Sequence, residues 1–348
     1  MKRFSQISIL CLFNTLIYAQ AVEQFHLSLP ETLISNSNYN SIQYLDSRLD
    51  TTDFGTVYSK HYKRKVPLIP PVNMNTQLNW LIQAALDSSS ISGELLFQLR
   101  KLEFVELGGE IPSYGYCPIR VDLYVKKNSN YFLLAKLDTF IATEKGIGRI
   151  DVSELLLKQS KAALSRFILK HLQLKSSIKK AYTYDQILVI DSIEKTHLPL
   201  YNATKYTNGV YLSYESFKIQ KPDYPLLKVT RKFDEIHRLT LLDKKGKKLK
   251  IDYKEVYAFV YKDTAYISDY YGCYTLQKFK NDFYFVGKGK ALATEEGVAL
   301  AGATGLAFGG IIAGIAGEQM TKNSAYAYYK GKIDHCDGSV IWFDKIKK

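Results

Sequence analysis

The chain has 348 residues and a formal net charge of +13, long enough for two domains. Its basic residues are spread along the chain, the densest run being KKGKKLK at 244–250. That argues against nucleic acid as a partner and leaves weak attraction to an anionic surface.

The start, MKRFSQISILCLFNTLIYAQA, has the three parts of a secretory signal: Lys2 and Arg3, an apolar run from Ile7 to Ile17, and Ala19-Gln20-Ala21 as a small-x-small cleavage site. Cys11 lacks a small residue before it and comes too early for a lipid anchor. Residues 1–21 are therefore expected to be a signal peptide. An exported chain with Cys117, Cys273 and Cys336 has room for one disulfide, and Cys273 with Cys336 is the expected pair. No CxxC or Cys/His cluster has zinc-ligand spacing.

Residues 22–176 read as an α+β domain, helices on a mostly antiparallel sheet. Phe25, Leu27 and Leu29 alternate as in a strand. Asp46, Arg48, Asp50 and Asp53 lie close together; local side chain to backbone bonding at a strand end is favoured over a metal site. KHYKRKVPLIPP is basic, then broken by proline, and reads as a loop. Leu78, Leu81, Ile82, Ala85 and Leu86 fall at three-and-four spacing and predict a helix over 75–88, capped by Asn73 or Asn75. Three strand segments follow, at 93–107, 118–127 and 131–143. In the second, Ile119, Val121, Leu123 and Val125 alternate with Arg120, Asp122 and Tyr124, an apolar face and a polar one. Asp151 to Leu172 is the strongest helix, with Asp151 and Glu154 arranged like a capping box and an apolar stripe through Leu155, Leu156, Ala163, Phe167 and Ile168.

SSIKKAYTYD is a polar connection, and residues 182–348 read as a mainly-β domain. In NGVYLSYESFKIQKPDYP, Asn208-Gly209 makes a turn, then a strand, then a short helix that Pro222 and Pro225 stop. Strands around a lysine turn at Gly246 follow, then a meander with turns at Lys262-Asp263 and Tyr271-Gly272. The 27 tyrosines suit half-buried strands, and on exposed strands they would serve glycans or peptides.

Within this half lies GVALAGATGLAFGGIIAGIAG, residues 297–317, uncharged and with one polar side chain, Thr304. Gly297, Ala301, Gly305, Gly309, Ala313 and Gly317 recur every fourth residue, so a helix here would carry a groove of bare backbone for close packing. Its 21 residues give about 31 Å of helix. Its seven strongly apolar residues gain only about 0.3–0.6 kcal/mol each on insertion. Seven glycines oppose them at about 0.8–1 kcal/mol each. A lone membrane span is marginal, and a helical hairpin or interface element is the expectation, with a helix or loop buried against its own domain as the alternative.

The order of features over residues 205–348 resembles a group of uncharacterised exported proteins of Bacteroidota. The resemblance rests on NGVYLSYESFK, VYAFVYKDTAYIS, the Gly-rich apolar insertion and the closing SVIWFD. It implies an envelope or secreted location and brings no activity.

No catalytic motif is complete. GIGRID at 146–151 and GKGK at 287–290 lack the remainder of a phosphate loop and read as turns; no GxSxG or HExxH occurs. His335-Cys336-Asp337 is the one suggestive cluster, read as a strand-end turn over a cysteine nucleophile, and Glu215 is a weak candidate acid. The sequence thus predicts a non-enzymatic exported envelope protein without a cofactor. It is expected in the periplasm or at the outer membrane, docking through 297–317 to membrane, an envelope partner or a second copy. The alternative is a soluble glycan- or peptide-binding module.

Overall fold

A computed structural model describes residues 21–108, 112–144, 151–175, 180–269, 271–290 and 326–346. Residues 1–20 of the expected signal, GIGRI and the six small residues from Gly297 to Gly317 lie outside them.

The fold is α+β, with mostly antiparallel sheets. The N-terminal half contains β1 (Glu23–Gln24), β2 (Ser41–Asp46), β3 (Thr56–Ser59), β4 (Arg64–Ile69), α1 (Met74–Ala85), β5 (Glu94–Leu102), β6 (Val105–Gly108), β7 (Pro112–Lys127), β8 (Asn130–Glu144) and α2 (Val152–His171). Its main sheet runs β2-β5-β7-β8, with β6 also on β7, and all pairs but β2–β5 are antiparallel. Both long helices start where the sequence places caps: Asn73 Oδ1 accepts from Thr76 N at 2.8 Å, and Asp151 Oδ1 accepts from Glu154 N at 2.9 Å. Glu154 does not complete a capping box; its carboxylate meets Lys60 instead. α1 and α2 pack Leu78, Ile82, Leu156 and Ile168 onto the face formed by Phe97, Leu99, Ile119, Val121 and Leu123, all buried. Each such side chain contributes about 1.5–3 kcal/mol.

Two segments depart from expectation. RKVPLI is strand β4 and not loop; β1 pairs only with Leu68 and Ile69, beyond the proline, so the missing N–H of Pro67 interrupts little. The first strand stops at Gln24, with Phe25 and Leu27 buried but Leu29 exposed.

The chain then does not leave the first sheet at once. β9 (Ala181–Tyr182) pairs with β8, and α3 (Tyr184–Leu188) and α4 (Ile190–Lys195) follow. Ile187 packs on Leu96, Tyr124 and Tyr131, on the sheet face opposite α1 and α2.

The C-terminal half comprises α5 (Pro199–Asn202), β10 (Gly209–Tyr211), α6 (Tyr214–Lys218), β11 (Leu226–Lys232), β12 (Glu235–Leu242), β13 (Lys248–Asp252), β14 (Ala258–Tyr261), β15 (Thr264–Asp269), β16 (Gly272–Thr275), β17 (Gln277–Phe279), β18 (Asp282–Lys290), β19 (Tyr326–Ile333) and β20 (Val340–Ile346). They form three sheets, β10-β14-β15-β16, β11-β12-β13 and β17-β18-β19-β20. The lysine turn and the meander fall as read, with Gly246, Lys262 and Asp263 at positive φ. GKGK is not a turn. Gly287 and Gly289 lie within β18, where a Cβ on Gly287 would stand 2.8 Å from the rings of Phe285 and Trp342. Tyr124, Tyr201, Tyr211 and Tyr329 are among the largest fully buried side chains. The expected disulfide is absent: Cys117, Cys273 and Cys336 are all thiols. Cys273 lies against Ser268 on the meander, while Cys336 reaches the first sheet.

The turn between β19 and β20, residues 334–339, is held from beneath. Tyr214 Oη donates to the His335 carbonyl at 2.7 Å, and Tyr257 Oη to the Gly338 carbonyl at 2.8 Å. Gly338 has φ +74°, and a Cβ there would lie 2.2 Å from Tyr214 Cγ; Gly246 has φ +76° with open space around it. Both glycine-to-alanine changes carry a left-handed penalty of about 1–2 kcal/mol, but only Gly338→Ala adds overpacking, about 1–3 kcal/mol more. Urea unfolding of G338A and G246A should show that gap; equal costs would mean that the turn does not sit on Tyr214.

Candidate functional site

The alternation in β7 places Arg120, Asp122 and Tyr124 on one face, and the structure buries that face too, at 6, 1 and 1 % exposure. Register sets Asp138 of β8 beside Arg120 and Lys136 beside Asp122. On β5 a bulge between Leu99 and Lys101 lets consecutive residues reach the same side, and both Arg100 and Lys101 do so. Charges cannot be buried without partners. The partners come from two places distant in sequence.

α4 supplies Asp191 and Glu194. Arg100 bonds Glu194 through both guanidinium nitrogens, at 3.2 and 2.5 Å, and also Asp191 at 2.6 Å and Asp122 at 2.9 Å. Lys136 Nζ lies 2.8 Å from Glu194. The 334–339 turn supplies the rest. Arg120 spends each nitrogen on a different acid: Nη1 donates to both Asp334 oxygens at 2.9 and 3.1 Å, Nη2 to Asp337 at 2.7 Å and Nε to Asp138 at 3.0 Å. Lys101 Nζ contacts Asp334, Asp337 and Ser339 Oγ at 3.0–3.4 Å. The turn organises its own acids: Asp334 accepts from Cys336 N at 3.0 Å and Asp337 from Ser339 N at 2.8 Å.

At the centre, three side chains meet. His335 Nε2 is 3.1 Å from Glu194 Oε2 and 3.4 Å from Cys336 Sγ, and Sγ is 3.9 Å from the same Oε2. Arg100 Nη2 lies 3.5 Å from Sγ. Burial pushes the Cys336 thiol up to about 12, Asp334 and Glu194 adding to it against the arginines. Burial alone would raise Glu194 as well, but hydrogen bonds from His335, Arg100 and Lys136 hold its carboxyl well below the usual range. Asp334 is likewise buried and held low by Lys101 and Arg120. Arg100, Arg120, Glu194, His335 and Cys336 line a cleft of about 460 Å³ whose wall continues through Leu137, Lys180, Tyr182, Ile193 and His197.

This geometry does not suit a cysteine nucleophile. A relay needs the carboxylate on one imidazole nitrogen and the thiol on the other. Here both face Nε2, and the sulfur remains a thiol. The arrangement is convergent: three donor atoms of different type surround one point.

The sequence points to His335, Cys336 and Asp337, and the structure makes them a strand-end turn as read while joining them to Glu194 and Arg100. Nothing in the spacing marks those two; the one signal is a polar strand face in a long, otherwise apolar segment. The other candidates stand apart. Glu215 is on α6 and pairs with Lys218 at 2.7 Å. Asp46 binds Arg48, and Asp50 and Asp53 accept backbone amides at Thr52 and Gly55, the local bonding expected. Gly297, Ala301, Gly305, Gly309, Ala313 and Gly317 lie outside the described residues. No family model, curated protein or solved structure matches the chain.

The depressed carboxyls fix a pH dependence. Unfolded, Glu194 and Asp334 take up protons near pH 4; folded, they do so only at much lower pH. Their contribution to stability is therefore complete above about pH 5 and is lost as pH falls below about 4. Urea midpoints from pH 6 to pH 3 should drop steeply in the native chain. In Glu194→Gln the slope should be shallower by up to about 1.4 kcal/mol per pH unit. An unchanged slope would show that Glu194 is not held ionised.

Proposed function

We propose that this chain is an exported envelope protein that works by docking and not by catalysis, at the periplasmic side or the outer membrane. The observation that carries the reading is the pairing of β18 with β19, which runs to Lys290 opposite Tyr326. Residues 291–325, which include the Gly/Ala stretch, thus leave and return at one end of one sheet. A single crossing needs its two ends on opposite sides of a bilayer, whereas paired ends favour an excursion from a fixed body. No helix among the described residues is long and apolar enough to cross a membrane. The body behind the excursion is stiffened by the buried ion lattice, as an assembly element needs. Membrane, an envelope protein or a second copy is the partner class. The start of the sequence supports export.

A second reading is favoured by the cleft. Its fixed charges and apolar wall would hold a small polar ligand in a soluble chain. This moves the binding surface from the tyrosine platform to the cleft, because several tyrosine rings of the C-terminal half, Tyr214 and Tyr257 among them, are buried as struts.

Carbonate-washed membranes from cells making the native chain, and a version with 297–317 replaced by a Gly/Ser linker, separate the two. Docking predicts that the native chain stays in the pellet and the replaced one is released folded. If both wash out as soluble monomers, docking to membrane is wrong and the cleft reading gains.

A further inference from the structure

We propose that Glu194, His335 and Cys336 form a binding site for a borderline divalent transition metal, zinc above all, with its fourth coordination position open to the cleft. The site goes beyond the docking reading and does not depend on it.

The donor set comes first. A thiolate, an imidazole and a carboxylate together suit zinc and its neighbours, while calcium and magnesium prefer oxygen alone. Metal–ligand bonds of about 2.0–2.3 Å at tetrahedral angles place donor atoms about 3.3–3.6 Å apart. Glu194 Oε2, His335 Nε2 and Cys336 Sγ are 3.1, 3.4 and 3.9 Å apart. They need move only a few tenths of an ångström to share an ion. That both neighbours face the same ring nitrogen, which defeats a proton relay, is what coordination requires.

The surroundings fit as well. Among the described residues the lattice sets six carboxylates against four lysines and arginines. That paired set is net negative, which favours a cation, and Lys180 and Lys218 on the cleft wall stand outside it. Asp122, 1 % exposed and lining the cleft, has an Oδ1 with no hydrogen-bond partner among the described residues. Arg100 and Lys136 already bond the Glu194 carboxylate and would orient it as outer partners. Tyr214, bonded to the His335 carbonyl, fixes the backbone that carries two of the three ligands.

Binding balances simply. The metal bonds to Sγ as the thiol proton leaves to solvent, and to Nε2 once the ring proton that bonds Glu194 there has moved by exchange with solvent to Nδ1. It also bonds to Oε2, which keeps its hydrogen bond from Arg100. The fourth position takes water or a small donor ligand from the cleft.

Cobalt(II) added to the purified chain tests this directly. The expected result is one ion per chain, a near-ultraviolet sulfur-to-cobalt charge-transfer band and intense visible bands of tetrahedral cobalt, all displaced by zinc. Cys336→Ser, a one-atom change, should abolish the charge-transfer band, and Glu194→Gln should weaken zinc at least tenfold. Cys117→Ser and Cys273→Ser should leave both unchanged. Absence of the band from the native chain, or its persistence in C336S, would overturn the site; the native spectrum decides even if a variant misfolds.

Discussion

Arg120 is buried in the middle of a β-sheet, and the rest of the structure answers to that fact. A guanidinium in such a place has to be surrounded by acceptors. Asp138, on the neighbouring strand, is only one of them. The others, Asp334 and Asp337, arrive from more than two hundred residues later in the chain. Arg100 and Lys101 repeat the demand alongside. The polar face of the first sheet is thus a socket. The β19–β20 turn is what fills it, and α4 closes its side.

The turn can fill the socket because it is rigid. Its acids are aimed by their own backbone bonds, Gly338 takes a left-handed conformation against the Tyr214 ring, and two tyrosine hydroxyls hold its carbonyls. Tyr214 opens α6 and Tyr257 directly precedes β14, so the meander core is coupled through them to the N-terminal sheet. The tyrosine-rich composition has a structural use here: an apolar ring packs in the core while its hydroxyl ties down a loop. The same rigidity holds His335 and Cys336 beside Glu194.

The sequence shows the elements whose cause is local. α1 and α2 follow from three-and-four spacing and from Asn73 and Asp151 at their starts. The meander follows from alternation and from turns such as Lys262-Asp263. What it misses is decided at long range. Alternation in β7 correctly separates Ile119 and Val121 from Arg120 and Asp122, but it cannot say that the second set is buried, because that depends on α4 and the 334–339 turn. Glu194 looks like any acid on a short helix. Pro67 reads as a loop residue until the shortness of β1 is known. Gly287 reads as a turn until Phe285 and Trp342 are seen to need its missing side chain. Cys273 and Cys336 make a reasonable pair as two cysteines of one expected domain, yet one packs in the meander and the other in the socket.

The central claim is that buried ion pairing between Arg120 and the 334–339 turn joins the two halves. A double-mutant cycle with Arg120→Met, Asp334→Asn and the combined variant, read by urea unfolding, tests it most directly. The predicted result is a cost of about 3 kcal/mol or more for each single change and a coupling energy of about 2–3 kcal/mol, the double variant losing little beyond either single one. Additive single effects, with coupling below about 0.5 kcal/mol, would contradict it.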